Sequence, residues 1–226
     1  YFSLVFFLFC VLCKQGLYAT IVIRLILARL QGPKLTEIFE LQTSIGVILY
    51  SSIYFAKDLL SERYGKAEAT RAVMIGFTVS IIIIVMISIS LMYLPASSLE
   101  TAELAQRMHA ATATLFNFTP RFVFGSLLAY LLSKRFDVWI FHLIKKKTRG
   151  RHLWLRNNAS TMLSQAIDTI IYGVVVWWGV VDFATAMQLA LAKYFFKVII
   201  ALIDTPFIYL ARNCDVTDKD WVASKE

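Results

Sequence analysis

The chain has 226 residues, of which 58% are hydrophobic and only 17% charged, with a mean hydropathy of +0.65. Soluble domains average about 45–50% apolar and about 25% charged residues, so an ordinary soluble globular protein is excluded; nine Gly, four Pro and three Cys exclude collagen-like, linker-rich and disulfide-framed chains. A net charge of +8 would suggest nucleic acid in a soluble protein, but in a membrane protein it is the expected excess of basic cytoplasmic loops.

A spanning helix needs about 20 mostly apolar residues, and six stretches qualify. The first, about 4–28, is interrupted by Lys14-Gln15-Gly16. It lacks the basic head, short core and small-residue cleavage site of a signal peptide, so it reads as a retained span. Cys10 and Cys13 have redox spacing there but no second pair, and packing is their expected role. The second span, about 38–60, closes in a stripe of Ser51, Tyr54, Asp58 and Glu62. The third, about 72–94, carries no charge at all. The fourth, about 110–132, holds Asn117 and Arg121 four residues apart, with Pro120 as a kink inside the span. In the fifth, about 160–181, Ser160, Ser164 and Asp168 recur every four residues with Thr161 and Gln165 alongside. The sixth, about 184–211, puts Lys193, Lys197 and Asp204 roughly on one face, and Pro206 follows Asp204 by two residues. Long apolar runs rather than ten-residue alternations disfavour strands. The expected fold is an all-α integral membrane protein, a single six-transmembrane-helix bundle over residues 1–226.

Orientation follows from the basic residues. The loops after the second and fourth spans and the C-terminal tail hold fifteen Lys and Arg, among them Lys57, Lys134, Lys145, Arg156 and Lys225. The opposite side has three: Arg29, Lys34 and Arg107. The positive-inside rule then places both termini in the cytoplasm. The run from Lys145 to Arg151 reads as a topology signal that also touches anionic lipid. No nucleic-acid motif accompanies it, so no nucleic-acid partner is expected.

Function should lie in the charges that the spans retain. A central Asp, Lys or Arg costs about 2.5–3.5 kcal/mol on insertion scales, so each must find a partner or line a polar cavity. Any one residue has a purely structural alternative. Lys193 can snorkel, Asp58 can pair with Lys57 or Arg63 at a helix end, and Asp168 can pair with Arg121 to hold the bundle. Four stripes together point to one wet cavity, whereas Glu68 is expected to be solvated. Gly-x-Gly and His-Glu-x-x-His are both absent, and His109, His142 and His152 form no ligand cluster. No catalytic residues, metal or cofactor are therefore expected, and the chain reads as a non-enzyme.

The segment Asp58-x3-Glu62-x-Tyr64-Gly65-Lys66, with Arg71 following, resembles the signature of the queuosine-precursor transporters, also called the vitamin uptake transporter family. Three further blocks agree in order: Pro120-Arg121-Phe122 on to Asp137 and Phe141; Ser160-Thr161 with Gln165 and Asp168; and Tyr194-Phe195-Phe196-Lys197-Val198 with Thr205-Pro206. Lys57 departs from the pattern, which more often has a small polar residue there. The resemblance implies a bacterial inner-membrane, multi-pass importer of 7-deazaguanine bases, such as queuine and 7-cyano- and 7-aminomethyl-7-deazaguanine, for tRNA modification. A guanine-like edge offers an N–H and an amino group to a carboxylate and a carbonyl oxygen to a donor. Asp168 is therefore expected to take the donor edge, completed by Gln165 and Ser164, with Arg121 or Lys197 on the carbonyl. Asn117 lies near Arg121, and Tyr194 could stack on the ring. Asp58, Glu62 and Asp204 are expected to gate or couple transport. Secondary transport is preferred. The alternatives are a substrate-binding subunit of an energy-coupling-factor transporter and, less favoured, a membrane enzyme using the same carboxylates; whether a second copy or an energising module is needed stays open.

Overall fold

The computed structural model describes residues 2–31, 34–38, 41–98, 100–116, 120–177 and 182–212. Among these the order is α1 (Phe2–Gln31), β1 (Leu35–Ile38), β2 (Leu41–Ser44), α2 (Ile45–Arg63), α3 (Gly65–Met92), α4 (Ala102–Phe116), α5 (Pro120–Lys147), α6 (Leu153–Tyr172) and α7 (Phe183–Arg212). A π-helical turn, Gly173–Trp177, continues α6. The fold is all-α apart from one short hairpin, and this is a membrane protein. Three helices, α1, α3 and the Ala190–Ala211 part of α7, are long and apolar enough to cross a bilayer.

The described helices number seven, not six, and two expected boundaries move. The second helix begins at Ile45 rather than near 38, because Leu35–Ile38 and Leu41–Ser44 pair antiparallel with Thr36 opposite Thr43 and Glu37 opposite Gln42. Four-residue strands are too short to register against a 20-residue hydropathy window. The fourth expected span straddles two helices, α4 and α5. Pro120 is not a kink within one span but the first residue of α5, where its missing N–H leaves no helical bond unmade. α5 then runs to Lys147, well past the expected end near 132.

Local sequence explains the bends. α1 is broken at Cys13, whose backbone is non-helical (φ 53°, ψ −132°). The bend brings Gly16 so close to the Leu8 carbonyl that any Cβ there would collide with it. α2 passes into α3 across Tyr64 and Gly65, and Gly65 takes a positive φ of 87° at no steric cost. α5 ends in a Schellman arrangement: the Gly150 N–H donates to the Lys145 carbonyl (2.9 Å) and that of Arg149 to Lys146 (3.3 Å).

α1 packs mainly on α2, α5 on α6, and α7 on both α2 and α6. The apolar core joins Phe9, Leu17 and Ile21 of α1 to Phe55, Leu59 and Leu60 of α2, with Val73 of α3 and Phe141 of α5. α3 turns Ile82, Val85 and Met86 outward. An apolar exterior over a polar interior is the arrangement a lipid solvent favours. The seam between α2, α5, α6 and α7 is where the polar groups collect.

Candidate functional site

Each of these four helices contributes a row of polar residues to the seam. α2 supplies Ser52, Tyr54, Lys57, Asp58 and Ser61; α5 supplies Ser133, Lys134 and Asp137; α6 supplies Arg156, Asn157, Thr161, Ser164 and Gln165; and α7 supplies Asp204. All are buried. Along α2, α5 and α6 most of them are adjacent or recur three or four residues apart, which keeps each set to one side of its helix.

Lys57 is the hub. Its ammonium pairs with the neighbouring Asp58 carboxylate (2.7 Å) and, across to α5, with Asp137. Asp58 also accepts a bond from Thr161 of α6 (3.4 Å). Lys134 stands over the Tyr54 ring, 2.8 Å from its centroid, a cation–π contact that partly replaces lost hydration. Two turns of α6 further on, Asp168 accepts from Lys197 of α7 (2.9 Å) and from Ser133 (3.2 Å). Asp204 accepts from the Asn157 amide (3.0 Å), and Thr205 accepts from Asn158 (2.8 Å). Counting ionisable groups, three lysines face four aspartates, and no basic group among the described side chains lies within ion-pair distance of Asp204.

Tyr54, Thr161, Gln165, Lys197, Ala201 and Asp204 line a small gap in the seam. Neither amide atom of Gln165 has a hydrogen-bond partner there, although the side chain is fully buried.

Below this gap the arrangement changes. Glu62, at the end of α2, receives a two-pronged bond from Arg156 (2.6 and 3.1 Å) and an ion pair from Lys145 (3.1 Å). Arg156 is fully buried and also donates to the Gly150 and Arg151 carbonyls (3.0 and 3.2 Å). This closes the α5–α6 turn onto α2. The fork-to-fork geometry gives Arg an advantage that Lys would lack.

Several expected residues do come together here: Asp168 with Lys197, Gln165 with Asp204, and Asp58 with Thr161. Asp58 pairs with Lys57, one of the two structural partners that its sequence position offered, and Glu62 pairs with Arg156 and Lys145. The Ser164 hydroxyl donates back to the Thr161 carbonyl (3.0 Å), and that of Tyr194 donates to the Met162 carbonyl (3.4 Å). Arg121 belongs to the first turn of α5, and Asn117 lies outside the described residues. Glu68 is not solvated; it is buried against Tyr18 (2.6 Å), Arg71 (2.8 Å) and Lys14 (3.4 Å). Lys57, Lys134 and Arg156, counted in sequence as loop charges, are instead among the most buried side chains. Lys134 and Asp137 are three residues apart in a helix; that spacing was the available signal, hidden by the excess of bases around it.

Comparison with known proteins agrees with the resemblance. The profile of the family described as "Putative vitamin uptake transporter" matches residues 44–211. A "Probable queuosine precursor transporter" of Bacillus subtilis (strain 168) is 35% identical over 207 residues, 91% of this chain and 87% of the relative. The "Queuosine precursor transporter" of Escherichia coli (strain K12) is 27% identical over 170 residues, 74% and 71% of the two chains. No solved structure matches the chain. The chain belongs to the vitamin uptake transporter family.

Proposed function

We propose that this protein imports queuosine precursors, 7-deazaguanine bases, across the bacterial inner membrane for tRNA modification. The observation that carries the reading is the 35% identity, over nine-tenths of this chain, to a relative named for that cargo. A seam of buried polar side chains within an apolar bundle, with a small gap beside Gln165 and Asp204, supports it. A base of this kind needs hydrogen bonds on its edge, and a site of neutral amides and carboxylates supplies them without a metal.

In this reading the chain crosses the membrane several times with both termini cytoplasmic. The seam is the substrate path, with Gln165, Ser164, Asp168, Lys197 and Tyr194 along it, and Arg121 and Asn117 are further candidate contacts to the base. Asp58 and Glu62 belong to the gate, with the Glu62–Arg156–Lys145 cluster as its closed state. The test is uptake of labelled queuine and 7-cyano-7-deazaguanine by cells that express the protein and lack queuosine biosynthesis, with queuosine in tRNA as the readout. Queuosine restored by the wild type and not by an empty vector is the expected result. Its absence under both bases would retire the assignment.

A further inference from the structure

In and around the gap the groups differ sharply in how far their bonding capacity is used. Asp168, the carboxylate that sequence spacing singles out, is already held by Lys197 and Ser133. Lys57 and Asp58 hold each other. Among the residues that line the gap, two stand out. Gln165 buries an amide oxygen and an amide nitrogen with no partner for either. Asp204 is buried with a neutral amide, Asn157, as its donor. Leaving a buried amide such as that of Gln165 unpaired is costly in a folded interior, and native proteins rarely do so without a reason.

A primary amide presents a donor and an acceptor side by side, so it matches a ring lactam, which shows C=O and N–H in the same order. It also matches an aminopyrimidine edge after a half-turn of the amide, so Gln165 alone does not tell the two apart. A carboxylate beside it accepts from an exocyclic amino group and is repelled by a ring lacking that donor. Gln165 and Asp204 line the same gap from facing helices, α6 and α7.

We infer that Gln165 and Asp204 together form the specificity determinant of the site: the Gln165 amide pairs with the lactam of the base, and Asp204 accepts from its 2-amino group. Asp168 and Lys197 then act as the fixed wall that positions them. The inference rests on the deazaguanine reading above and assigns the atoms that read the base.

The test uses the full chain in detergent, with binding of 7-cyano-7-deazaguanine and its 2-deamino analogue measured by calorimetry and ligand-free melts alongside. Gln165→Met keeps the shape and removes the unpaired amide. It should melt at or above the wild-type temperature while its affinity for the base falls about 30-fold. Wild type should bind the 2-deamino analogue about tenfold more weakly than the parent base, and Asp204→Asn should lose most of that discrimination. A Gln165→Met protein that melts far below wild type, or binds the base unchanged, would overturn the assignment, because the amide would then be structural or idle. Equal wild-type affinity for the two bases would remove Asp204 from it. Wild type that binds neither base would instead bring down the substrate reading, and this inference with it.

Discussion

The Glu62 cluster and the Gln165–Asp204 corner share helix α6 and both hold fully buried polar side chains, Arg156 in one and Gln165 in the other, yet they are opposites in chemistry. At Glu62 both carboxylate oxygens are taken, and Arg156 places three nitrogens on four acceptors. At Gln165 nothing is taken. A saturated network rigidifies the elements that it joins, whereas an open one keeps bonding capacity for something that arrives. Burial alone therefore does not distinguish a fastener from a receptor. The state of the hydrogen bonds does.

Glu62→Gln probes the saturated side most severely. It leaves the Arg156 charge buried with its partner neutralised, and losses on breaking a buried pair run to about 3–5 kcal/mol. We expect a large drop in the unfolding midpoint of the detergent-solubilised protein; an unchanged midpoint would break the contrast outright. Asp58→Asn should cost less, about 2 kcal/mol, because Lys57 keeps Asp137 as its counter-ion. A loss equal to that of Glu62→Gln would mean that the Lys57 hub works as one unit, which a double mutant with Asp137→Asn would show as non-additivity.

Glu68→Gln sharpens the comparison at the periphery. Its ring of Tyr18, Lys14 and Arg71 is complete, but Arg71 is largely exposed (66%), so solvent screening should hold the cost to about 1 kcal/mol. Glu103→Gln on α4 sets the baseline. It removes an ion pair with Arg107 in which both side chains are exposed, and the melt should not shift measurably. A shift there would show α4 to be engaged with something its exposed surface does not reveal.

Much of the site was legible from spacing. The α6 stripe of Ser160, Ser164 and Asp168 and the α7 pair Lys197 and Asp204 do face the seam, because helical periodicity alone puts them on one side. The α1 break was legible too, in Lys14-Gln15-Gly16. Lys134, Arg156 and Glu68 were not. Near the ends of apolar runs a charge looks the same in sequence whether it meets water or a counter-charge on another helix, and only packing separates the two. Of the four helices that carry the seam, α2, α5 and α6 are not among those whose apolar windows qualify as spans. Their interior charges lower the hydropathy. The same charges that make them functional blur their outline, which is how the α4–α5 break and the full length of α5 escaped notice.

The turn after α5 has a practical consequence. Three of its four residues from Arg149 to His152 take positive φ: Arg149, Gly150 and His152. Two of its carbonyls are gripped by Arg156 from inside. Exposed, basic and between two helices, this stretch looks like the natural place to splice in an epitope tag or a reporter. It has no slack to accept one. A single added residue would shift the Gly150 and Arg151 carbonyls off the Arg156 guanidinium and draw that side chain away from Glu62, so the tag would report on a broken protein. Labels that leave the chain length unchanged, such as a cysteine in place of the exposed Lys146, avoid the problem and suit the mapping of which side of the membrane this end faces.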